Sequence, residues 1–149
     1  MKLPSNALNT HLIRESYLKF NVASLAGMAG DVGSAILRAR VTGVHSAGVD
    51  VQVRGVANST WSESSITYNT KPAYDAEVIT TTGVDGVDTG LWKEWDVTSY
   101  IVNQLEFSPV FLSLAMTADD TRNNHVGFYR SEKGSAVELV VTRAGFIVL

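Results

Sequence analysis

The chain has no cysteine, only three prolines and no apolar run approaching the ~18 residues of a membrane-spanning helix. Without thiols there is no cysteine nucleophile, no iron–sulfur cluster, no Cys-ligated zinc and no disulfide framework. Compartment stays open, because many exported bacterial proteins also lack disulfides. Residues 1–20 lack the apolar centre of a signal peptide, so a secreted protein carrying this sequence is expected to be longer than it. There is no basic excess either. Twelve Lys plus Arg stand against 15 Asp plus Glu, a net charge of −3, which argues against a general nucleic-acid binder. Catalytic patterns are missing as well. His11, His45 and His125 fall in expected loops, and there is no Gly-x-Ser-x-Gly elbow, phosphate loop or His-Glu-x-x-His helix. A non-enzyme is expected.

What is present is a strand-rich pattern. The 149 residues include 19 Val and 13 Thr, β-branched side chains that suit pleated, half-buried surfaces. A chain of this length buries about 68–70% of its unfolded surface and needs no metal or cross-link to fold as one domain. Period-two alternation recurs. Leu18 and Phe20 alternate with Tyr17 and Lys19; Ala35, Leu37, Ala39 and Val41 oppose Ile36, Arg38 and Arg40; Val49, Val51 and Val53 oppose Asp50, Gln52 and Arg54. Further strands are expected over 77–81, 92–97, 109–117, 125–130 and 137–142, separated by Gly, Asp, Asn and Ser clusters. With no long helical period between them, these strands predict an all-β, antiparallel sandwich. Its expected interior includes Leu18, Phe20, Leu37, Val41, Val51, Val53, Trp95, Val97, Phe111, Leu114 and Val140. Phe111 and Leu114 have opposite parity, so one of them should fail unless a bulge intervenes. One short helix is expected over Thr98–Leu105, with Asp96 or Thr98 at its start.

Several blocks point further. Ser16-Tyr17-Leu18-Lys19-Phe20-Asn21, Ala35-Ile36-Leu37-Arg38, Trp61-Ser62-Glu63-Ser64-Ser65-Ile66-Thr67-Tyr68-Asn69 with Pro72, and Trp92 with Asp96-Val97-Thr98 resemble the ordered blocks of DNRLRE-type modules, carbohydrate-binding module family 96. The resemblance runs over about residues 14–142. It implies a jelly-roll sandwich without catalysis, carried by secreted polysaccharide lyases or cell-surface proteins, with alginate as one ligand. The segment Asp119 to Glu132 matches the loop that names the family only loosely. The family also begins with a strand that has no counterpart ahead of residue 14 beyond residues 1–3, so the module is expected to start inside its usual bounds. The vacant edge would then be filled by Phe146–Leu149 pairing as a strand, within its own sheet or with a partner chain.

For an acidic sugar polymer, parity suggests a basic face. Lys19, Arg38, Arg40 and Arg54 take outward positions on three successive strands, and Arg14 stands just ahead of the first. Arginine holds a carboxylate bidentately, and Tyr17, on the same side as Lys19, offers a flat ring to a sugar. The same charges would also serve as ordinary solubilising groups paired with Glu15 and Asp50. Trp61 is expected to be buried at the sandwich edge and Trp95 in the core, which leaves Trp92 as the exposed platform, with Tyr129 and Arg130 as a second pair. No cofactor is required. Asp85-Gly86-Val87-Asp88-Thr89-Gly90 and Asp119-Asp120 offer oxygen donors of the kind calcium takes, and tight turns select the same residues. Two functions remain: an extracellular or cell-surface module that targets a parent secreted enzyme to an acidic polysaccharide, or a structural or adhesive block of a bacterial surface protein.

Overall fold

A computed structural model of the chain describes residues 2–4, 14–44, 48–118, 126–128 and 137–145. Among the described residues, nine strands form two antiparallel sheets. The first has five: β1 (Lys2–Pro4), β2 (Arg14–Asn21), β7 (Phe111–Ala118), β4 (Val49–Val56) and β5 (Val78–Val84), in the spatial order β1-β2-β7-β4-β5. In the second, the long β3 (Val32–Val44) pairs on one side with β6 (Trp92–Asp96), and β9 (Val137–Arg143) and β8 (Val126–Phe128) pair with successive stretches of it. The two-sheet sandwich expected from the sequence is therefore present. His11, His45, His125 and residues 146–149 lie outside the described residues, as do the parts of 119–132 on either side of Val126–Phe128.

The alternation read from the sequence explains why the sheets face each other. Ala35, Leu37, Ala39 and Val41 of β3 are buried, as are Val49, Val51 and Val53 of β4, together with Leu112, Leu114 and Met116 of β7. These form one core with Trp95 and Val97. Full burial of the Val, Leu and Met side chains among them contributes roughly 1.5–3 kcal/mol each. Trp95 also ties the layers together, its indole N–H donating across to Val51 O at 2.9 Å, while its ring meets Phe128 of its own sheet edge-on at 5.8 Å. Leu18 and Phe20 pack against this core from the flank, partly buried.

Two expected core residues are outside. Phe111 is 44% exposed and Val140 is 39% exposed. The reason is parity. Leu114 and Leu112 take the inner face of β7, which turns Phe111 outward, while Leu139 and Val141 of β9 pack inward and Val140 does not. Helix α1 (Thr98–Leu105) has the expected bounds and buries Ile101 and Leu105. Asp96 holds its start, accepting from the Thr98 amide at 3.0 Å and the Thr98 hydroxyl at 2.6 Å. These bonds, the hydroxyl's first, lower the Asp96 carboxyl below its ordinary value. Tyr100 of α1 lies on Gly55, where an added Cβ would stand 2.5 Å from the Tyr100 hydroxyl and from the Asp75 carboxylate, so a larger residue there would have to displace these side chains.

Leu37→Ala should lower unfolding free energy by about 2–5 kcal/mol, measured by denaturant titration, because it opens a cavity between the sheets. Val140→Ala should cost under about 1 kcal/mol.

Candidate functional site

On the outer face of the five-stranded sheet, β7 presents Ser113, Ala115 and Thr117, paired with Lys19, Tyr17 and Glu15 of β2. All three β7 residues are nevertheless buried. The cover is the segment 57–77, which lays Trp61, Ile66 and Tyr74 over this face as a second apolar cluster with Tyr17, Val56 and Ala115.

Polar contacts fix the cover in place. Tyr17 donates its hydroxyl to Pro72 O at 2.8 Å, and its ring meets Trp61 edge-on at 6.1 Å. Trp61 donates its indole N–H to Ser113 Oγ at 3.1 Å, and Ser113 Oγ is 2.7 Å from Ser59 Oγ. The buried carboxylate of Glu15 is bonded by the Lys71 ammonium and, at 3.2 Å, by the Tyr74 hydroxyl. Lys71 in turn lies 4.4 Å from the Tyr68 ring centroid. Arg54 donates to Thr117 Oγ1, to Asp75 O and to Ala76 O, and its guanidinium sits 5.5 Å from the Tyr74 ring. Burial first, then the charge of Glu15, raises the hydroxyl pKa of both Tyr17 and Tyr74.

Beside this cover a cleft of about 170 Å³ opens along β2, beyond the three residues that β1 pairs. Trp61 and Tyr17 supply rings, Lys19 and Glu63 supply opposite charges, and Leu18, Phe20 and Val137 supply apolar surface. The Lys19 ammonium donates to Trp61 O and, at 3.4 Å, to Ser59 O. It stands 5.0 Å from the Trp61 ring centroid and 5.1 Å from that of Phe111. An ammonium has three donors, so these carbonyls account for two. The arrangement offers a held aromatic ring, a cation and a carboxylate within one recess, which suits a polar, ring-shaped ligand.

The continuous basic face expected from the sequence does not form. Lys19 and Arg54 belong to the five-stranded sheet, whereas Arg38 and Arg40 are on β3 in the other. Arg38 is held between Glu94, at 3.1 Å, and Glu138, at 2.9 Å, over the Trp92 ring at 4.8 Å. Arg40 is exposed and donates to Gly90 O at 2.9 Å. Tyr17 is buried, and Trp92 is half-buried beneath Arg38. Arg14 opens β2; its side chain, Tyr129 and Arg130 lie outside the described residues.

The Asp85–Gly90 segment forms a tight turn. Asp88 accepts from the Asp85 amide at 2.8 Å and is 3.4 Å from the Lys93 ammonium. The bond from the Asp85 amide, with a further contribution from Lys93, holds the Asp88 carboxyl below its ordinary value. Among the described residues, no three His, Asp or Glu side chains are grouped as metal ligands.

The sequence model of carbohydrate-binding module family 96 matches residues 4–143. The chain belongs to that family. Family 96 is one of non-catalytic binding modules, and the chain is accordingly a carbohydrate-binding module. It is also similar to a gellan lyase of Bacillus sp, 28% identical over 130 residues that make up 86% of this chain and 5% of that protein. The family-96 chain thus spans a small part of the length of this relative. Its most specific sequence block, Trp61 to Asn69, lies within the segment that covers β7. Glu63 and Phe111 were not singled out as site residues, although three aromatics (Trp61, Tyr68 and Tyr74) within one Ser/Thr-rich stretch are more than a solvated loop needs.

Lys71→Met should leave the buried Glu15 carboxylate with Tyr74 as its donor among the described residues and cost about 2–4 kcal/mol, discounted for partial exposure of the pair. A second outcome concerns alkaline pH. Raised folded-state values of Tyr17 and Tyr74 give stability that is complete below the unfolded tyrosine value of about 10 and is lost as pH rises through the folded values. The melting temperature should therefore fall above pH ~10, and ultraviolet titration should show these two hydroxyls ionising late.

Proposed function

We propose that the chain is a non-catalytic module that holds a parent secreted enzyme on an acidic polysaccharide, alginate being one such ligand, through the cleft beside Lys19, Trp61 and Glu63. The observation that carries this reading is the Lys19 ammonium set beside the Trp61 ring in a recess of one-sugar size. A pyranose offers a flat C–H face to an indole and hydroxyls to Glu63. A uronate adds a carboxylate for the remaining donor of Lys19, a charge-assisted bond. Similarity to a polysaccharide lyase supports an extracellular or cell-surface setting. There the module would raise the local substrate concentration of its parent enzyme.

Affinity electrophoresis against alginate, gellan, pectate, chondroitin and neutral glucans tests it. Lys19→Met should weaken binding to the acidic polymers roughly 10- to 100-fold, and wild-type binding should weaken with salt. Retention should survive a calcium chelator, since the reading requires no cofactor. If Lys19→Met and Trp61→Ala bind like wild type while Arg40→Ala or Trp92→Ala does not, the site lies on the β3–β6 face. Failure to bind any glycan, together with self-association, would favour the structural or adhesive reading instead.

A further inference from the structure

Phe111 breaks the alternation that places large apolar residues inside. It occupies an outward position on β7, in register with Asn21 of β2, with 44% of its surface in water. Val110 beside it is 55% exposed and Phe107, two residues beyond α1, is 80% exposed. One exposed apolar residue is ordinary; here three fall within five positions of the sequence, and one of them, Phe111, stands beside a cation that already faces an indole. The same Lys19 ammonium lies 5.1 Å from the Phe111 ring and 5.0 Å from the Trp61 ring, so the two rings flank one positive charge.

Size then decides what the rings are for. The cleft of about 170 Å³ is close to the roughly 150 Å³ cavity that accommodates one benzene, a size that suits one six-membered ring. A second sugar of the same chain must lie outside it, and Phe111 is an exposed aromatic surface beside the charge. We propose that Phe111 is a second sugar platform, and that the ligand is a stretch of at least two residues of an anionic glycan whose carboxylate meets Lys19 while neighbouring rings rest on Trp61 and Phe111. This deepens the reading given under Proposed function and rests on it. It distinguishes an oligosaccharide-binding surface from a pocket for a single terminal residue. The positive charge between the two rings favours an anionic glycan over an apolar protein surface as the occupant.

Calorimetric titration with alginate oligomers of one to six residues tests it on wild type, Phe111→Ala, Phe111→Trp and, as a control at an exposed turn, Val87→Ala. Wild-type affinity should rise about tenfold between one residue and three. Phe111→Ala should lose that rise, Phe111→Trp should keep it, and Val87→Ala should match wild type. Since Phe111 is half in water, unchanged melting temperatures should accompany these effects. The proposal is overturned if Phe111→Ala keeps the wild-type length dependence, or if a single uronate already binds as tightly as a trimer. It is equally overturned if Phe111→Ala only dissolves a dimer, which would make the patch a contact between copies. If no oligomer binds wild type, the reading of the cleft falls, and Phe111 as a platform with it.

Discussion

A strand at the centre of a sheet whose outward side chains are serine, alanine and threonine cannot cover its own backbone, nor leave a wide trough in water beside larger neighbours. That is the position of β7, between β2 and β4. Ser113, Ala115 and Thr117 give the outer face of the five-stranded sheet a hollow, and the segment 57–77 fills it. Because the fill comes from a segment with little regular pairing, it must be fastened by side chains: Tyr17 to Pro72, Trp61 to Ser113, Lys71 and Tyr74 to Glu15, and Arg54 to the carbonyls of Asp75 and Ala76. The buried Glu15 carboxylate is the costliest of these to disturb, since loss of its cation strands a charge away from water.

This constraint sorts the polar residues into those that build the site and those that border it. Arg54, Glu15 and Lys71 hold the cover. Arg38 is balanced by two carboxylates on the far sheet. Lys19 differs because, among the described residues, its hydrogen bonds go to carbonyls and its nearest partners are ring faces rather than a paired carboxylate, with Glu63 in the same cleft. The indole of Trp61 is already locked by Ser113 and Tyr17, so little rotamer freedom would be lost on stacking a ligand against it. A rigid ring beside a cation suits the binding of an acidic sugar proposed for this cleft.

Strand positions and face assignments were legible because alternation is local: β3, β4 and the inner residues of β6 could be read residue by residue, and α1 was bounded by Asp96 and the apolar spacing of Ile101 and Leu105. Strand order was not legible. Nothing in Arg38 or Arg54 says that β3 and β4, adjacent in sequence, lie in different sheets, and that single fact divides the expected basic face. Phe111 was misplaced because alternation gives the phase of a strand only relative to its neighbours, and β7 is buried on both faces over 112–117, which hides the phase. Trp61 was recognised as part of a specific block and assigned to the edge of the sandwich; its half-buried state, with one surface in the cleft, depends on the hollow over β7, which emerges only once β2, β7 and β4 are side by side.

The central claim is that the cover over β7 creates a sugar site at the edge of β2, and it is tested most directly by a crystal structure of the chain with an alginate oligomer bound. The account predicts a sugar ring against Trp61, with a uronate carboxylate within hydrogen-bond distance of Lys19 Nζ and a hydroxyl facing Glu63. A ligand seated over Trp92 and Arg40 on the opposite sheet, with the cleft empty, would contradict it.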